Sequence, residues 1–393
     1  MSGDDGTVPW RSGTLYLLVA IAVVAPLDVN LVGPVLPAIA ETFAVSNSRA
    51  GLVITAFAVP GVVLAPVVGM LADRVGRRQV LVPCLLVYGV AGALVTLAGD
   101  FATVLALRFV QGSVGGSILA SLALTLVGDF YEGARRNAVM GLVSAAISVS
   151  AAVAPVAGGA MAAVSWDAPF ALYGLSVVVA GAVFLFLDVP PLSGGDRSVD
   201  FSYLRNAVAA LPTRDAVLFY GVNFVSFALL FGGTLAAVPF LLDGTYGLES
   251  GRIGALITGA MLFAAVVAIF NGRFARHLSN RELVAVGFFA YGVGLAGASV
   301  ANSPVQVFLG LVVFGAGHGL VLPAVAAGLS ELSPTRFRGG VMSVRTSLVL
   351  ASQAVGPPLF TAPARAVGYE TTLLAGGLVA LVVAGVVSAS AAA

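Results

Sequence analysis

The sequence predicts an all-α integral membrane protein of twelve transmembrane helices, on two observations of composition and one of pattern. Of its 393 residues, 59% are hydrophobic and 9% are charged, and the mean hydropathy is +1.04. An average soluble domain carries about 25% charged residues. The apolar residues form about twelve runs of roughly 18–27 residues, each long enough to cross a hydrocarbon core about 30 Å thick as a helix.

We number these predicted helices α1 to α12 in chain order. They cover residues 14–37, 50–71, 80–98, 102–127, 137–163, 168–187, 215–242, 252–271, 282–300, 304–328, 340–362 and 368–390. The polar start of the chain and the absence of a small-residue cleavage site predict that α1 is a retained helix rather than a signal peptide. Cys84 is the only cysteine, so the chain has no intrachain disulfide.

The arginines predict the orientation in the membrane. All 19 basic residues are arginine, and if both termini lie inside, the inner segments hold most of them. Basic residues concentrate in cytoplasmic loops, so both termini are expected in the cytoplasm of a multi-pass cell-membrane protein. The net charge of +1 argues against a nucleic-acid partner.

The chain divides into two halves that resemble each other. Residues 189–213 form the longest inner loop and are expected to link an N-terminal six-helix bundle, 1–188, to a C-terminal one, 214–393. The stretch "RRNAVMGLVSAAISVSAAVAPVAGG" in α5 aligns without a gap on "RFRGGVMSVRTSLVLASQAVGPPLF" in α11. The matched residues include Met140 with Met342, Ser150 with Ser352, and Pro155 with Pro357. Two pseudo-symmetric bundles indicate a transporter in which one half rocks against the other.

The stretch "GMLADRVGRRQV" between α2 and α3 concentrates charge between two apolar runs. It resembles the signature of the loop between helices 2 and 3 in the major facilitator superfamily. The matching residues are Gly69, Leu71, Ala72, Asp73, Arg74, Gly76, Arg77 and Arg78. The resemblance covers essentially the whole chain and implies the major facilitator fold.

Three further stretches support this resemblance. "LALRFVQG" resembles the family's helix 4 signature, and "LDVNLVGPVLP" resembles the helix 1 signature of its twelve-helix drug/proton antiporter branch. "APVAGG" resembles the antiporter signature of helix 5 through Pro155, Gly158 and Gly159, although Ala154 stands where that signature has glycine. The resemblance to antiporters implies proton-coupled efflux.

The resemblance also implies a role for the charged loop. Asp73 is expected to approach the N-terminus of α11 when the transporter faces outward, where the helix dipole favours an anion. Arg77 is expected to pair with Asp129, while Gly69 and Gly76 permit close approach and a tight turn. The alternative is a basic loop that only sets topology, which explains the arginines but not Asp73 or the glycines.

Four ionisable side chains lie within predicted spans: Asp28, Arg108, His318 and Arg345. Each would cost roughly 2.5–3.5 kcal/mol if it faced lipid, so each is expected to face protein or water. Asp28 lies nine residues before Pro37 and Arg108 lies eight after Asp100, which predicts similar depths of about 12–14 Å. Desolvation favours the neutral form of a carboxyl and a nearby arginine favours the charged form, so such a pair can couple protons. The alternative is a static ion pair that fixes helix packing.

The other polar residues within the spans are candidates for proton or substrate binding. His318 is either a proton carrier, because histidine titrates near neutral pH, or a hydrogen-bonded core residue. Arg345 either binds an anionic group or extends toward the inner surface. The candidate substrate-binding residues are Asn30, Gln111, Asn223, Arg345 and Gln353.

These observations predict a secondary active transporter that exports a small, partly apolar compound in exchange for protons. A sugar or metabolite uniporter or importer of the same fold, and a membrane sensor that binds without transport, are the alternatives. The sequence has no metal-ligand cluster and no nucleophile–base pair, so we expect no enzyme activity, no metal and no cofactor. We expect the chain to act as a monomer in the lipid bilayer.

Overall fold

A computed structural model describes residues 7–188, 213–334 and 338–392, and within them every regular element is a helix. Ten of the described helices are long and apolar enough to cross a membrane, and an eleventh span results if two bent pieces of α1 are counted together. Each of the twelve predicted segments overlaps a helix. The all-α membrane fold predicted from composition is therefore confirmed, although α11 is more polar than the ten.

The helices of the first half have the following bounds. α1 comprises Gly13–Val24, Leu27–Asn30, Gly33–Val35 and Leu36–Thr42; α2 comprises Asn47–Ala50 and Leu52–Val75; α3 comprises Arg77–Leu94 and Val95–Leu97; α4 comprises Phe101–Gly112 and Ser117–Phe130; α5 is Gly133–Ala162; α6 comprises Ala168–Tyr173 and Gly174–Phe186.

The second half continues the series. α7 comprises Thr213–Ala228, Leu229–Ala237 and Val238–Tyr246; α8 is Ser250–Phe274; α9 is Asn280–Ser299; α10 is Pro304–Leu332; α11 is Arg338–Thr361; α12 is Ala364–Ala392. The predicted linker, 189–213, lies outside the described residues except for its last position. The boundaries 1–188, 189–213 and 214–393 stay a prediction.

Helix α1 is broken and longer than predicted. Its two parts, Gly13–Val24 and Leu27–Thr42, meet at an angle of 42° next to Pro26. Proline lacks an N–H and cannot continue the hydrogen-bond ladder of the preceding turn. Pro37 lies in the first turn of Leu36–Thr42, where proline is well tolerated. The predicted end of α1 at residue 37 was therefore wrong, and Asp28 lies next to a helix break.

Helix α4 is also interrupted. Asp100 caps its start by accepting hydrogen bonds from the main-chain N–H and the hydroxyl of Thr103, at 2.9 and 2.8 Å, and these bonds lower the pKa of Asp100. The helix stops at Gly112 and restarts at Ser117, because Gly116 has a φ of +54° that L side chains rarely adopt. The single helix predicted over 102–127 is thus two helices.

The described residues group into two compact units that do not follow the midpoint of the chain. Unit 1 is Met1–Leu31, Ala56–Ala154 and Asp167–Val199, and unit 2 is Val32–Thr55, Pro155–Trp166 and Asp200–Ala393. The second part of α1, the start of α2 and the end of α5 therefore belong to unit 2. Each unit holds one group of the candidate residues.

The same helix contact recurs in the two units. In unit 1, a β-carbon placed on Gly112 would lie 1.7 Å from the carbonyl oxygen of Phe57. In unit 2, a β-carbon on Gly315 would lie 2.5 Å from the carbonyl oxygen of Ala260. Both residues of the second contact follow those of the first by the same number of positions. Only glycine permits two backbones to approach so closely, and such contacts are typical of helix packing in membranes.

Candidate functional site

Arg108 lies at the centre of unit 1 and is fully buried. Its guanidinium donates hydrogen bonds to Gln111 Oε1 at 2.7 Å, to the Tyr173 hydroxyl at 3.2 Å and to the main-chain oxygen of Asp28 at 3.3 Å. The ring of Phe57 lies 4.4 Å from the guanidinium carbon, within range of a cation–π interaction. Four helices of unit 1, α1, α2, α4 and α6, thus hold this buried cation.

Asp28 is brought to the same place by the break in α1. The Tyr173 hydroxyl donates to the main-chain oxygen of Asp28 at 2.7 Å, and Asn30 Nδ2 lies 3.5 Å from its carboxylate. The carboxylate packs against Gly116, since a β-carbon there would lie 2.4 Å from Asp28 Oδ2. The predicted proximity of Asp28 and Arg108 is therefore present. We call Asp28, Arg108, Gln111 and Tyr173 the acid–arginine site.

Asn30 and Gln111 differ in what remains of their hydrogen-bonding capacity. Asn30 Nδ2 donates to the main-chain oxygen of Pro26 at 3.0 Å, so its amide stabilises the break in α1. Gln111 is fully buried, and its Nε2 has no hydrogen-bond partner among the described residues. A buried donor without a partner is costly, which makes Gln111 the stronger candidate for contact with a bound molecule.

His318 belongs to unit 2 and lies in a short hydrogen-bonded chain. Its Nδ1 is 2.7 Å from the hydroxyl of Tyr291, which in turn lies 2.7 Å from the hydroxyl of Ser226. Ser226 and Tyr291 are fully buried, and the ring of Phe227 meets His318 edge-on. This chain joins α7, α9 and α10. The predicted hydrogen-bonded histidine is present, and its role in proton transfer stays a prediction.

Arg345, Asn223 and Gln353 lie on the two neighbouring helices α11 and α7 of unit 2. Arg345 Nε donates to Asn223 Oδ1 at 3.1 Å. Asn223 Nδ2 and Gln353 Nε2 are buried and have no hydrogen-bond partner among the described residues. All three side chains therefore present donors.

The charged loop between α2 and α3 makes the predicted contact with α4. Gly76 adopts a φ of +119° at the turn between the helices, and Arg77 pairs with Asp129 at the end of α4. Arg77 also donates to the main-chain oxygen of Thr125 at 3.2 Å. Arg78 donates to the main-chain oxygen of Phe184, which ties α3 to the end of α6.

The remaining loop residues are less constrained. A β-carbon on Gly69 would meet no described atom within 4 Å, so the expected close approach at Gly69 is not seen in this structure. Arg74 lies in the last turn of α2, where the helix dipole favours a cation. The side chain of Asp73 and residues 335–337, which precede α11, lie outside the described residues. Their predicted approach stays a prediction.

The helix 5 signature packs against α8 within unit 2. A β-carbon on Gly159 would lie 2.2 Å from the carbonyl oxygen of Ser250, and one on Gly254 would lie 2.2 Å from that of Pro155. Val156 N–H donates to the hydroxyl of Thr258 at 3.0 Å. Gly158 is buried. Pro155 and Gly159 of α5 and Gly254 of α8 thus form a backbone-to-backbone contact.

A second contact of the same kind joins the start of α2 to the end of α11. The hydroxyl of Thr55 donates to the main-chain oxygen of Ala354 at 2.8 Å. A β-carbon on Gly51 would lie 3.2 Å from the hydroxyl of Thr361. We call Thr55 with Ala354, and Thr258 with Val156, the paired threonine contacts. Thr55 lies near the start of α2, and Val156 lies near the end of α5.

Several of these residues were not predicted from the sequence. Thr55 and Thr258 end two similar stretches, "RAGLVIT" at 49–55 and "RIGALIT" at 252–258, and this repeat was the signal that would have found them. Tyr173 and Tyr291 are common residues with no motif around them. Their roles depend on tertiary contacts, which a single sequence does not reveal.

A helical membrane protein with repeated helix contacts and ionisable side chains held inside its spans has the organisation of a secondary transporter. The comparison with known families agrees. The profile of the Major Facilitator Superfamily matches residues 18–251 and 219–390, and the chain belongs to this family.

Relatives of the chain include an exporter and multidrug resistance proteins. The chain is 25% identical to the bacillibactin exporter of Bacillus subtilis (strain 168) over 359 residues, covering 88% of this chain and 89% of the relative. It is 24% identical to multidrug resistance protein 2 of the same organism, covering 84% of each chain. The fold is similar to the crystal structure of a bacterial homologue of the human lysosomal transporter Spinster, inward-facing and unoccupied. The TM-score is 0.79 at 19% identity, with 97% of this chain and 96% of that chain covered.

Proposed function

We propose that this family member exports a small, partly apolar compound in exchange for protons. The acid–arginine site is the observation that carries the proposal. Asp28 is a carboxyl group buried inside a membrane span, beside a cation that is itself fully buried. Such groups are rare in spans and are typical of proton pathways. The exporters among the relatives support the direction of transport.

The contacts of Arg108 support a titrating role for Asp28. Arg108 donates to three neutral oxygens, those of Gln111, Tyr173 and the Asp28 main chain. When Asp28 takes up a proton, the guanidinium keeps these three acceptors. Protonation therefore does not leave a buried cation without hydrogen bonds, which is the condition that makes broken ion pairs so costly. This arrangement favours a proton carrier over a static pair.

His318 is the second candidate for proton transfer. The chain from His318 through Tyr291 to Ser226 consists of groups that both donate and accept hydrogen bonds. Such a chain can rearrange when the histidine gains a proton. Asp28 ranks above His318 because Asp28 lies beside a buried cation that has its own neutral acceptors, whereas His318 bonds to the neutral hydroxyl of Tyr291 among the described residues.

Two sets of contacts fit alternating access. The charged loop with Arg77 and Asp129 lies at one end of α2, α3 and α4. The paired threonine contacts lie at the other end of α2 and α5. We assign the loop, with Asp73, to the inner gate and the threonine contacts to the outer gate. Rocking of one half against the other would open one gate as the other closes.

The location and assembly of the protein complete the proposal. We place it in the cell membrane with both termini in the cytoplasm, as the distribution of arginines predicts. It acts as a monomer on a small-molecule substrate and protons, and it needs no cofactor.

The decisive experiment uses the full-length chain in liposomes with an imposed pH gradient and a pH-sensitive dye inside. Addition of a transported compound is expected to move protons, and the gradient is expected to drive the compound uphill. Flux without proton movement would indicate a uniporter, and binding without flux would indicate a sensor. Either result would contradict proton-coupled export.

A further inference from the structure

We propose that the transported compound carries an anionic oxygen group, such as a carboxylate, and that Arg345 and Asn223 bind it. This proposal rests on the proposed function and adds the substrate class to it. It is independent of the acid–arginine site, because Arg345 and Asn223 belong to unit 2.

Arg345 is a cation in a membrane helix without a counter-ion in the described part of the chain. No carboxylate there lies within 4.0 Å of its guanidinium. The sequence offers none nearby on the same helices, because α11 and the stretch 216–242 of α7 contain neither Asp nor Glu. A charged side chain in a span normally pairs with another group, so an anion from outside the protein would complete this site.

The hydrogen bond to Asn223 argues against extension of Arg345 toward the membrane surface. Asn223 lies ten positions after Thr213, where α7 begins, and therefore about 15 Å along the helix. Arg345 Nε is fixed at that depth by Asn223 Oδ1. The guanidinium is thus held inside the span rather than at its end, and its two terminal nitrogens make no hydrogen bond to a described residue.

The neighbouring polar atoms are donors as well. Arg345 donates to the side-chain oxygen of Asn223, and Asn223 Nδ2 is buried without a hydrogen-bond partner among the described residues. Gln353 lies two turns further along α11, and its Nε2 is buried and likewise has no partner in the described part of the chain. A ligand that offers several oxygen acceptors satisfies such a set. A cationic ligand would leave every one of these donors unpaired and add a like charge.

The register of α11 directs this group toward α7. Arg345, Ser352 and Gly356 are spaced by seven and four positions, so they share one face of the helix. Ser352 donates to the main-chain oxygen of Phe224 at 2.9 Å, and Gly356 packs on Ala228. That face therefore contacts α7, and Arg345 lies on the same face nearer the start of α11.

The test compares three naphthalene probes of similar size whose polar group is anionic, neutral or cationic. Naphthalene-2-carboxylate, naphthalene-2-carboxamide and 2-naphthylmethylamine are titrated calorimetrically into the full-length chain in lipid nanodiscs, with empty nanodiscs as blank. We expect the carboxylate to bind at least about tenfold more tightly than the amide, and the amine to bind most weakly. Arg345→Gln is expected to abolish this preference, and Arg345→Lys to retain part of it.

Arg365→Gln is the matched control, because it removes the same charge from an exposed position at the start of α12. It is expected to leave the preference unchanged. Equal affinity for carboxylate and amide, tighter binding of the amine, no binding of the carboxylate, or a preference that survives Arg345→Gln would overturn the assignment. A carboxylate preference in a protein that moves no protons would contradict proton coupling alone, so the two proposals fail separately.

Discussion

Arg108 shows how one buried residue can be both structural and functional. Its hydrogen bonds to Gln111 and Tyr173 bind α4 to itself and to α6, and its position over Phe57 adds a contact with α2. The same contacts give the guanidinium hydrogen-bond acceptors whose presence does not depend on the charge of Asp28. A residue that holds the unit together in both protonation states allows its neighbour to titrate.

Asp28→Asn tests this separation. The substitution imitates the protonated carboxyl, and because Arg108 retains its neutral acceptors, we expect a loss of stability smaller than the 3–5 kcal/mol typical of breaking a buried pair. Uphill export driven by a pH gradient should disappear, while exchange of substrate for substrate continues. Both are measured in proteoliposomes with the same preparation of protein. Full gradient-driven export would reject Asp28 and turn attention to His318.

Gly116→Ala is expected to disturb the same site from the opposite side. A β-carbon there would lie 2.4 Å from Asp28 Oδ2, and the φ of +54° is unfavourable for alanine. The carboxylate must move, so proton coupling should fall while the helices of unit 1 remain folded.

Gly141→Ala provides the control for this change, because a β-carbon at Gly141 meets no described atom within 4 Å. Proton movement per substrate and thermal stability are measured for both variants. A Gly116→Ala protein that couples protons as well as the Gly141→Ala protein would show that the position of the carboxylate does not matter.

At the scale of helices, a proline leaves a main-chain carbonyl oxygen without its usual N–H partner, and a side chain of a neighbouring helix can supply the missing hydrogen bond. Pro358 has no N–H, so the main-chain oxygen of Ala354 lacks its usual partner four residues later. The hydroxyl of Thr55 supplies that hydrogen bond at 2.8 Å. A helix end that depends on a side chain of another helix can be released without breaking its own ladder.

The paired threonine contacts are therefore expected to control the outer gate. Thr55→Val and Thr258→Val each remove one hydrogen bond of a kind worth about 0.5–1.5 kcal/mol while keeping the volume of the side chain. Each should shift the protein toward the state in which this gate is open, and the double variant should shift it further. Accessibility of a cysteine introduced by Gly51→Cys, in a Cys84→Ser background, to a membrane-impermeant maleimide reports the shift.

Thr245→Val is the control, because the hydroxyl of Thr245, near the end of α7, takes no part in the paired threonine contacts and bonds to exposed Glu370 at 3.4 Å. Labelling that rises equally in this variant would indicate general loosening. Labelling that does not change in the Thr55→Val or Thr258→Val proteins would remove the gate assignment.

The helices were predictable from the sequence to different degrees. Apolar runs in the sequence predicted each of the ten described helices that are long and apolar enough to cross a membrane, because burial in lipid requires about 20 apolar residues whatever the tertiary contacts. The breaks in α1 and α4 were missed, although Pro26 and Gly116 cause them, because proline and glycine also occur inside intact membrane helices. α2 contains Pro60 and Pro66 within one helix. Which proline breaks a helix depends on the neighbouring helices.

At the scale of the whole molecule, the two halves repeat contacts that the sequence only partly revealed. Ser150 and Ser352 were matched from sequence, and each donates to a main-chain oxygen of another helix, Val23 at 2.6 Å and Phe224 at 2.9 Å. The four ionisable residues inside the spans, Asp28, Arg108, His318 and Arg345, do not repeat between the halves. Gly115 occupies the position in α4 that corresponds to His318 in α10. A common scaffold thus carries different chemistry in its two halves.

The charged residues of the candidate site were predictable from the sequence, whereas the residues that hydrogen-bond to them were not. Asp28, Arg108 and Arg345 were evident because an ionisable residue in an apolar span is energetically costly and usually has a functional role. The tyrosines that hold Arg108 and His318, and the unpaired amides of Gln111 and Asn223, depend on side-chain positions that no pattern of residues encodes.

The charged loop provides the last prediction. Asp73→Asn should weaken the attraction to the N-terminus of α11 by about 0.3–1 kcal/mol, which is about a two- to fivefold change in the balance between the two states. Spin labels on Leu185→Cys at the end of α6 and Phe274→Cys at the end of α8, in a Cys84→Ser background, report the separation of the inner ends. The population at long distance should rise, and transport should fall while ligand binding persists.

Asp167→Asn is the control. It removes the same charge at a helix start where the side chain of Asp167 makes no capping hydrogen bond, and it should change neither the distance distribution nor the transport rate. If the distances and the transport rate of the Asp73→Asn protein match those of the parent chain, Asp73 has no part in closing the inner gate, and the loop serves only to set the orientation of the helices in the membrane.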